Sequence, residues 1–125
     1  MRIRGRLVTG LGEAPAFTEL AWVTEQCRDK LGFAPFPGTV NLEVVPEDLP
    51  LWEQLKRRPG VVLAPPNPSF CEATCQRVSI GGQIAGATIV PHVGGYPANK
   101  LELLAPCPVV DTLGLRLGEE LAIEA

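Results

Sequence analysis

The chain has 125 residues, of which 46% are hydrophobic and 20% charged, so it resembles an ordinary soluble globular protein with enough length for one core. Its formal net charge is −3 and it has no long basic run, which disfavours a nucleic-acid partner, because a phosphate backbone attracts clustered positive charge. No apolar run approaches the roughly 18 residues of a membrane span, and no secretory signal follows the N-terminal arginines, so we expect a cytoplasmic protein with no membrane partner.

Alternating polarity predicts a strand over residues 2–9, in which Arg2, Arg4 and Arg6 are expected to form a solvated face. Two glycines and a proline then break regular structure. A helix is predicted from Thr18, as its N-cap, to about Lys30, and Gly32 is placed to end it. Apolar residues at helical spacing should turn toward the core, namely Leu20, Val23, Cys27 and Leu31.

β-Branched residues predict a second strand over residues 39–45. A shorter helix should follow to about Arg58, opened by Asp48 and with Pro50 in its first turn, where proline is tolerated. The proline-rich residues 64–68 cannot sustain a ladder of hydrogen bonds, so they are predicted to form a loop.

The second half of the chain has the pattern of short strands joined by turns. Alternation returns over residues 70–80, and Gly81-Gly82 predicts a tight hairpin leading into a strand that ends at Val90. A strand over residues 101–104 and closing elements over 109–113 and 119–124 complete the chain. Because strands outnumber helices and no βαβ rhythm occurs, we predict a mainly β protein, a small antiparallel barrel with one or two helices.

The most informative motif is the turn Pro35-Phe36-Pro37-Gly38 followed by Thr39-Val40-Asn41. On a strand, Thr39 and Asn41 point to the same face and offer two neutral oxygens to one object. Mg²⁺, which takes oxygen ligands and shares substrate phosphates, is one candidate for that object. The alternative is structural: a turn before a core strand, with Asn41 bonded to nearby backbone.

Four other features carry weaker signals. The glycines around Gly10 and Gly12 can turn backbone N–H groups toward an anion, although taken alone they favour a plain loop. Glu102 lies between apolar residues on a predicted strand, where it either faces solvent or contacts a ligand. His92 sits in a loop and is expected to be merely exposed, and the four cysteines lack the spacing of a zinc site and are expected to be reduced thiols.

Together these motifs resemble the CTP-dependent riboflavin kinases best known from archaea. The resemblance extends over nearly the whole chain, and its most specific part is the segment that ends Pro37-Gly38-Thr39-Val40-Asn41-Leu42. It also includes the glycine loop, Ile89-Val90-Pro91 and the segment from Leu101 to Pro106. The resemblance implies one domain over residues 1–125, folded as a six-stranded cradle-loop barrel that transfers the γ-phosphate of CTP to the 5′-hydroxyl of riboflavin, giving FMN and CDP.

The resemblance also implies site residues. Thr39 and Asn41 match the family's Mg²⁺ ligands, Glu102 matches a flavin-contacting carboxylate, and Gly94 occupies the place of a flavin-contacting threonine. No residue is assigned as the catalytic base. The nucleotide-binding positions implied are Gly10, Leu11, Gly12, Glu13, Ala14, Pro15, Cys107, Pro108, Val109 and Val110.

Several of these positions depart from the family pattern. Ala14 replaces a glycine, Pro15 a basic or polar residue, and Val109-Val110 a Leu-Arg pair. Arg2, Arg4, Arg77 and Lys100 are candidates to supply the missing positive charge. Two alternatives to a kinase therefore stay open: a non-catalytic flavin- or nucleotide-binding module on the same scaffold, and a structural interaction domain.

Overall fold

The computed structural model describes residues 1–10 and 17–125. Three short α-helices lie entirely within these residues, namely α1 (Ala21–Gln26), α2 (Leu49–Arg57) and α3 (Val109–Leu113), and a 3₁₀-helix, Pro46–Asp48, directly precedes α2. The same residues form seven strands, which are β1 (Arg2–Val8), β2 (Val40–Val44), β3 (Val61–Leu63), β4 (Ala73–Ile80), β5 (Ile84–Pro91), β6 (Lys100–Leu104) and β7 (Glu120–Glu124).

All of these strands pair antiparallel, in the order β3-β4-β5-β6-β2-β1-β7. A further pairing between β4 and β7, with Ile80 opposite Ile123, joins the two ends of six of the strands. The result is a closed six-stranded barrel, with β3 attached to β4 as an additional strand. The predicted mainly β, antiparallel barrel is therefore confirmed.

Two separate apolar clusters stabilise this barrel. The first takes side chains from all six barrel strands, such as Ile3, Leu101 and Ile123, and is completed by Trp52 and Leu55 of α2. The second lies beneath α1 and contacts the opposite face of β3 to β6. The strands β4, β5 and β6 are therefore apolar on both faces for part of their length.

The α1 segment is close to its prediction but begins differently. Its apolar stripe is buried as expected, and the helix continues as a π-helical turn, Cys27–Leu31, that ends at Gly32 with φ of +87°. The prediction that Thr18 caps the helix is wrong, because the N-cap residue is Leu20. Instead, the Thr18 hydroxyl accepts a hydrogen bond of 2.8 Å from the Gly38 amide.

Most of the predicted turns and strands lie within a few residues of their expected positions. Gly81 and Gly82 both adopt positive φ between β4 and β5, as the hairpin requires. Pro50 lies in the first turn of α2. The short strand β3 was not predicted, and the strand expected from residue 70 begins only at Ala73. Within the described ranges, no helix has the length and apolar character that a bilayer crossing demands.

One of the arginines expected on a solvated face has a structural partner. The Arg4 guanidinium donates to Asp48, with 2.9 Å from Nε to Oδ2 and 3.2 Å from Nη2 to Oδ1. The Arg4 backbone N–H also donates to Asp48 Oδ2 at 2.9 Å. The Asp48 side chain is 11% exposed, so this pair joins β1 to the turn before α2 in a partly buried setting.

This pairing predicts a specific dependence of stability on pH. The hydrogen bond from Arg4 lowers the pKa of Asp48 below its ordinary value of 3.8. The stabilisation is thus complete above that value and is lost as the pH falls through the lowered folded value. We expect Asp48→Asn to have a lower Tm than the parent protein near neutral pH, and the difference to shrink steadily below pH 3.8.

The control is Glu53→Gln, which removes an exposed i,i+3 pair with Lys56 on α2 and should change Tm little at any pH. Thermal unfolding of the three proteins between neutral and acid pH tests this. A difference between parent and Asp48→Asn that stays constant into the acid range would contradict the assignment.

Candidate functional site

The polar residues singled out by the sequence meet where β1, β2 and β6 run side by side. The β2–β6 register places Asn41 directly opposite Glu102, and the β1–β2 register places Asn41 opposite Val8. Thr39 lies immediately before β2, and Gly10 lies two residues beyond the end of β1. Residues that are distant along the chain therefore converge at one edge of the barrel wall.

Thr39 and Asn41 are in contact with each other and with the β6 carboxylate. The Thr39 hydroxyl donates a hydrogen bond of 3.1 Å to Glu102 Oε1. The Asn41 amide nitrogen lies 3.4 Å from Thr39 Oγ1 and 3.2 Å from the Thr39 carbonyl oxygen. The bond to the carbonyl is the one that the structural alternative expects, whereas the closeness of the two side chains is what a shared ligand requires.

A tyrosine that the sequence analysis did not single out completes this cluster. The Tyr96 hydroxyl donates to Glu102 Oε2 at 2.6 Å, and the Lys100 ammonium lies 4.0 Å from the same oxygen. The Lys100 ammonium also lies 5.2 Å from the centroid of the Tyr96 ring. Burial, followed by the bond and charge of Glu102, raises the pKa of Tyr96, so the phenol stays protonated and acts as a donor.

Gly10 is the one described residue of the predicted glycine loop. A Cβ atom built on it would collide with the Asn41 amide nitrogen and lie 3.0 Å from Asn41 Cγ. Because Gly10 has no side chain, its backbone can lie in contact with the Asn41 side chain. The other predicted positions of this loop lie outside the described residues; they are Leu11, Gly12, Glu13, Ala14 and Pro15.

The remaining predicted site residues lie in two loops and at the start of α3. Gly94 is exposed between β5 and β6, and a Cβ built there meets no atom within 4 Å. Val109 is 1% exposed and packs into the barrel core, so only its main chain is available to a ligand. Cys107 and Val110 are partly buried against the same core, and Pro108 is the N-cap residue of α3.

The four basic residues considered as substitutes for missing charge are engaged differently. Lys100 lies beside Glu102. Arg4 is paired with Asp48, the Arg77 guanidinium donates to the Lys30 carbonyl, and Arg2 lies on β1 opposite Glu124. Among these four, Lys100 is therefore the cation that the structure places at the polar cluster.

A pocket of about 120 Å³ lies between α2 and the strands β4 and β5. In it, His92 Nε2 lies 2.6 Å from Thr74 Oγ1. The pocket is also lined by Thr88 and Val90, whereas Ile89 is the residue opposite Glu102. Because side chains alternate along a strand, the pocket lies on the face of β5 opposite the Glu102 cluster, and His92 is not part of that cluster.

The donor set at the cluster fits a hard divalent cation. Thr39 offers a hydroxyl oxygen and Asn41 an amide oxygen, both neutral, with the Glu102 carboxylate one hydrogen bond away. Oxygen ligands of this kind suit Mg²⁺, which keeps several waters and takes further oxygens from phosphates. Thr39 and Asn41 could thus contribute oxygen ligands to such an ion.

Comparison with known proteins gives consistent matches. The family model CTP-dep_RFKase, described as "Domain of unknown function DUF120", matches residues 7–125. Curated proteins named riboflavin kinase from Pyrobaculum arsenaticum and Archaeoglobus fulgidus are 33% and 32% identical, each over 99% of this chain. The riboflavin kinase of Methanocella arvoryzae is 36% identical over 97% of the chain.

The chain spans 60%, 54% and 55% of the lengths of these three relatives, respectively. The matched region nevertheless includes β2, β6 and the polar cluster between them. Because the family model covers nearly all of the sequence, this chain belongs to the CTP-dep_RFKase family, as its motifs predicted.

Proposed function

We propose that this protein phosphorylates riboflavin to FMN, with CTP as the phosphate donor and Mg²⁺ as the required ion. The observation that carries the proposal is the convergence of Thr39, Asn41 and Glu102 beside Gly10, the first residue of the predicted nucleotide loop. The family's model name and the names of the archaeal relatives support both the reaction and the donor. Residues 1–125 are proposed to act as one riboflavin kinase-like domain, located in the cytoplasm.

In this proposal Thr39 and Asn41 hold Mg²⁺, which when bound neutralises charge on the β- and γ-phosphates. The main chain from Gly10 to Pro15, together with the segment from Cys107 to Val110, holds the nucleotide. Glu102 orients the flavin; its two oxygens already accept one bond each, and an ionised carboxylate can accept about four, so it retains capacity for a ligand.

The reaction breaks the bond between the γ-phosphorus and the oxygen that leaves with CDP, and forms a bond to the 5′-oxygen of riboflavin. The hydroxyl proton leaves to solvent. Phosphoryl transfer passes through a loose transition state that depends mainly on positioning and charge neutralisation, so no dedicated base is required. Other family members have an arginine that this chain lacks. Lys100, which lies near Glu102, is proposed to supply the positive charge in its place.

The second candidate function is a flavin- or nucleotide-binding module without turnover. Two observations favour it. Gly94 provides no side-chain donor where the family has threonine, and Val110 provides no positive charge where the family's Leu-Arg pair has its arginine. Such a module would still bind its ligands, and the native state would be stabilised by them.

Purified protein incubated with riboflavin, Mg²⁺ and CTP should produce FMN, detected by chromatography with fluorescence. Parallel reactions with ATP and GTP should give less product, because the proposal assigns CTP as donor. If no FMN forms with CTP, ATP or GTP, but riboflavin or CTP raises the Tm, the protein is the binding module and the kinase proposal fails.

Asn41→Ala should abolish Mg²⁺-dependent FMN formation while leaving the fold intact. The loss should exceed about a hundredfold, since even outer-shell partners of metal ligands cost 10- to 100-fold when removed. The control is Asn67→Ala, which removes an asparagine bonded to the Ser69 amide in a distant loop and should retain activity. Unchanged kinetics in the Asn41 variant would remove Asn41 from the metal site; circular dichroism reports on the fold.

Gly10→Ala should also reduce FMN formation, by at least about tenfold, because the new methyl group displaces the Asn41 side chain from a site that depends on sub-ångström geometry. Since both changes act on the same side chain, the double variant Gly10→Ala/Asn41→Ala should be no less active than Asn41→Ala alone. Full activity in Gly10→Ala would show that Asn41 does not need its observed position.

A further inference from the structure

The side chains around Glu102 form one continuous series of hydrogen bonds. It runs from the Tyr96 hydroxyl to Glu102 at 2.6 Å, from Thr39 to Glu102 at 3.1 Å, and from the Asn41 amide nitrogen to Thr39 Oγ1 at 3.4 Å. In this series Tyr96 makes no hydrogen bond to Thr39 or Asn41. Its connection to them passes through the Glu102 carboxylate.

We propose that Tyr96 is a positioning residue that, through Glu102, fixes the direction in which the Thr39 hydroxyl presents its lone pairs to a divalent cation. This inference rests on the proposed function, because it assigns a further residue to the same site. It is distinct from the flavin contact implied for Glu102. The same carboxylate orients a metal ligand on one side and leaves lone pairs for a substrate on the other.

The Thr39 hydroxyl has a single proton to donate. Once that proton is donated to Glu102 Oε1, both oxygen lone pairs point away from the carboxylate; one accepts from the Asn41 amide nitrogen at 3.4 Å, and the other is available to a cation. The same bond places a negative charge next to the hydroxyl, which makes its oxygen a stronger ligand. If the proton rotated toward a cation instead, Thr39 could not serve as a ligand.

The donation depends on the orientation of Glu102, which has a long side chain with several rotamers. Tyr96 holds Oε2 and Thr39 holds Oε1, so the plane of the carboxylate is fixed from both sides. The Glu102 side chain is 16% exposed, which limits competition from water. Lys100 lies at 4.0 Å from Oε2, too far for a hydrogen bond, so it cannot replace the phenol as a directional donor.

The position of Tyr96 itself is also restrained. Its ring lies 5.2 Å from the Lys100 ammonium, and its side chain is half-buried in an otherwise exposed loop between β5 and β6. Pro97 follows it and restricts the Tyr96 backbone to extended conformations. The loop therefore presents the phenol to Glu102 from a constrained backbone.

The test is the Tyr96→Phe variant, which keeps the ring and removes only the hydroxyl. We expect the Mg²⁺ concentration for half-maximal FMN formation to rise about tenfold, the lower end of the range for outer-shell partners, with kcat at saturating Mg²⁺ reduced less than about threefold. A second readout is the increase in Tm caused by Mg²⁺ in the presence of CTP, relative to CTP with chelator. This increase should be smaller in the variant at the same Mg²⁺ concentration.

A double-mutant cycle separates action through Glu102 from a general structural effect. Glu102→Gln should weaken the Mg²⁺ dependence at least as much as Tyr96→Phe, and the double variant should be no worse than Glu102→Gln alone. The control is Thr74→Val, which removes a hydroxyl at a similar distance from its partner, His92, on the opposite face of the sheet. It should leave both Mg²⁺ readouts unchanged.

An unchanged Mg²⁺ dependence in Tyr96→Phe, or an effect that simply adds to that of Glu102→Gln, would overturn the inference. If the parent protein forms no FMN with any nucleotide, the kinase proposal fails separately, and the Mg²⁺-dependent change in Tm then decides. A smaller change in the variant than in the parent supports the positioning role. Equal changes, or none in either protein, reject it.

Discussion

The register of the β2–β6 pair is the constraint on which the candidate site depends. It sets Asn41 opposite Glu102 and Leu42 opposite Leu101, so one face carries the polar cluster and the other fills the barrel. A shift of β2 by one residue against β6 would turn Leu42 away from the core and point Asn41 into it. Burial of each leucine contributes about 1.5–3 kcal/mol, so the hydrophobic core and the site enforce the same alignment.

Local signals in the sequence predicted most of the barrel because its strands are short and clearly bounded. Gly81-Gly82 marks the β4–β5 hairpin, and Gly32 marks the end of the α1 segment, each through a backbone conformation that favours glycine. The short strand β3 was missed since three residues after a Pro-Gly pair carry too little pattern. The prediction of Thr18 as the N-cap was wrong because its hydroxyl accepts a hydrogen bond from the Gly38 amide, 20 residues away, a contact that the local sequence does not indicate.

The candidate site was partly predictable for a similar reason. Side chains alternate along an extended chain, so Thr39 and Asn41, which are two residues apart, lie on the same face. The bond between Thr39 and Glu102 joins residues 63 positions apart, and the Arg4–Asp48 pair joins residues 44 apart. Tyr96 carried no pattern of its own in a turn-rich loop. Pairing across a barrel depends on the tertiary fold, so such contacts became visible only in three dimensions.

The two flanks of residues 11–16 are fastened to one short piece of chain. Before them, Gly10 lies against Asn41. After them, the Thr18 hydroxyl accepts a hydrogen bond from the Gly38 amide. Both anchor points fall within four consecutive residues that also include Thr39. Because residues 38–41 position both ends of this segment, a displacement of that short piece of chain would move the two ends together.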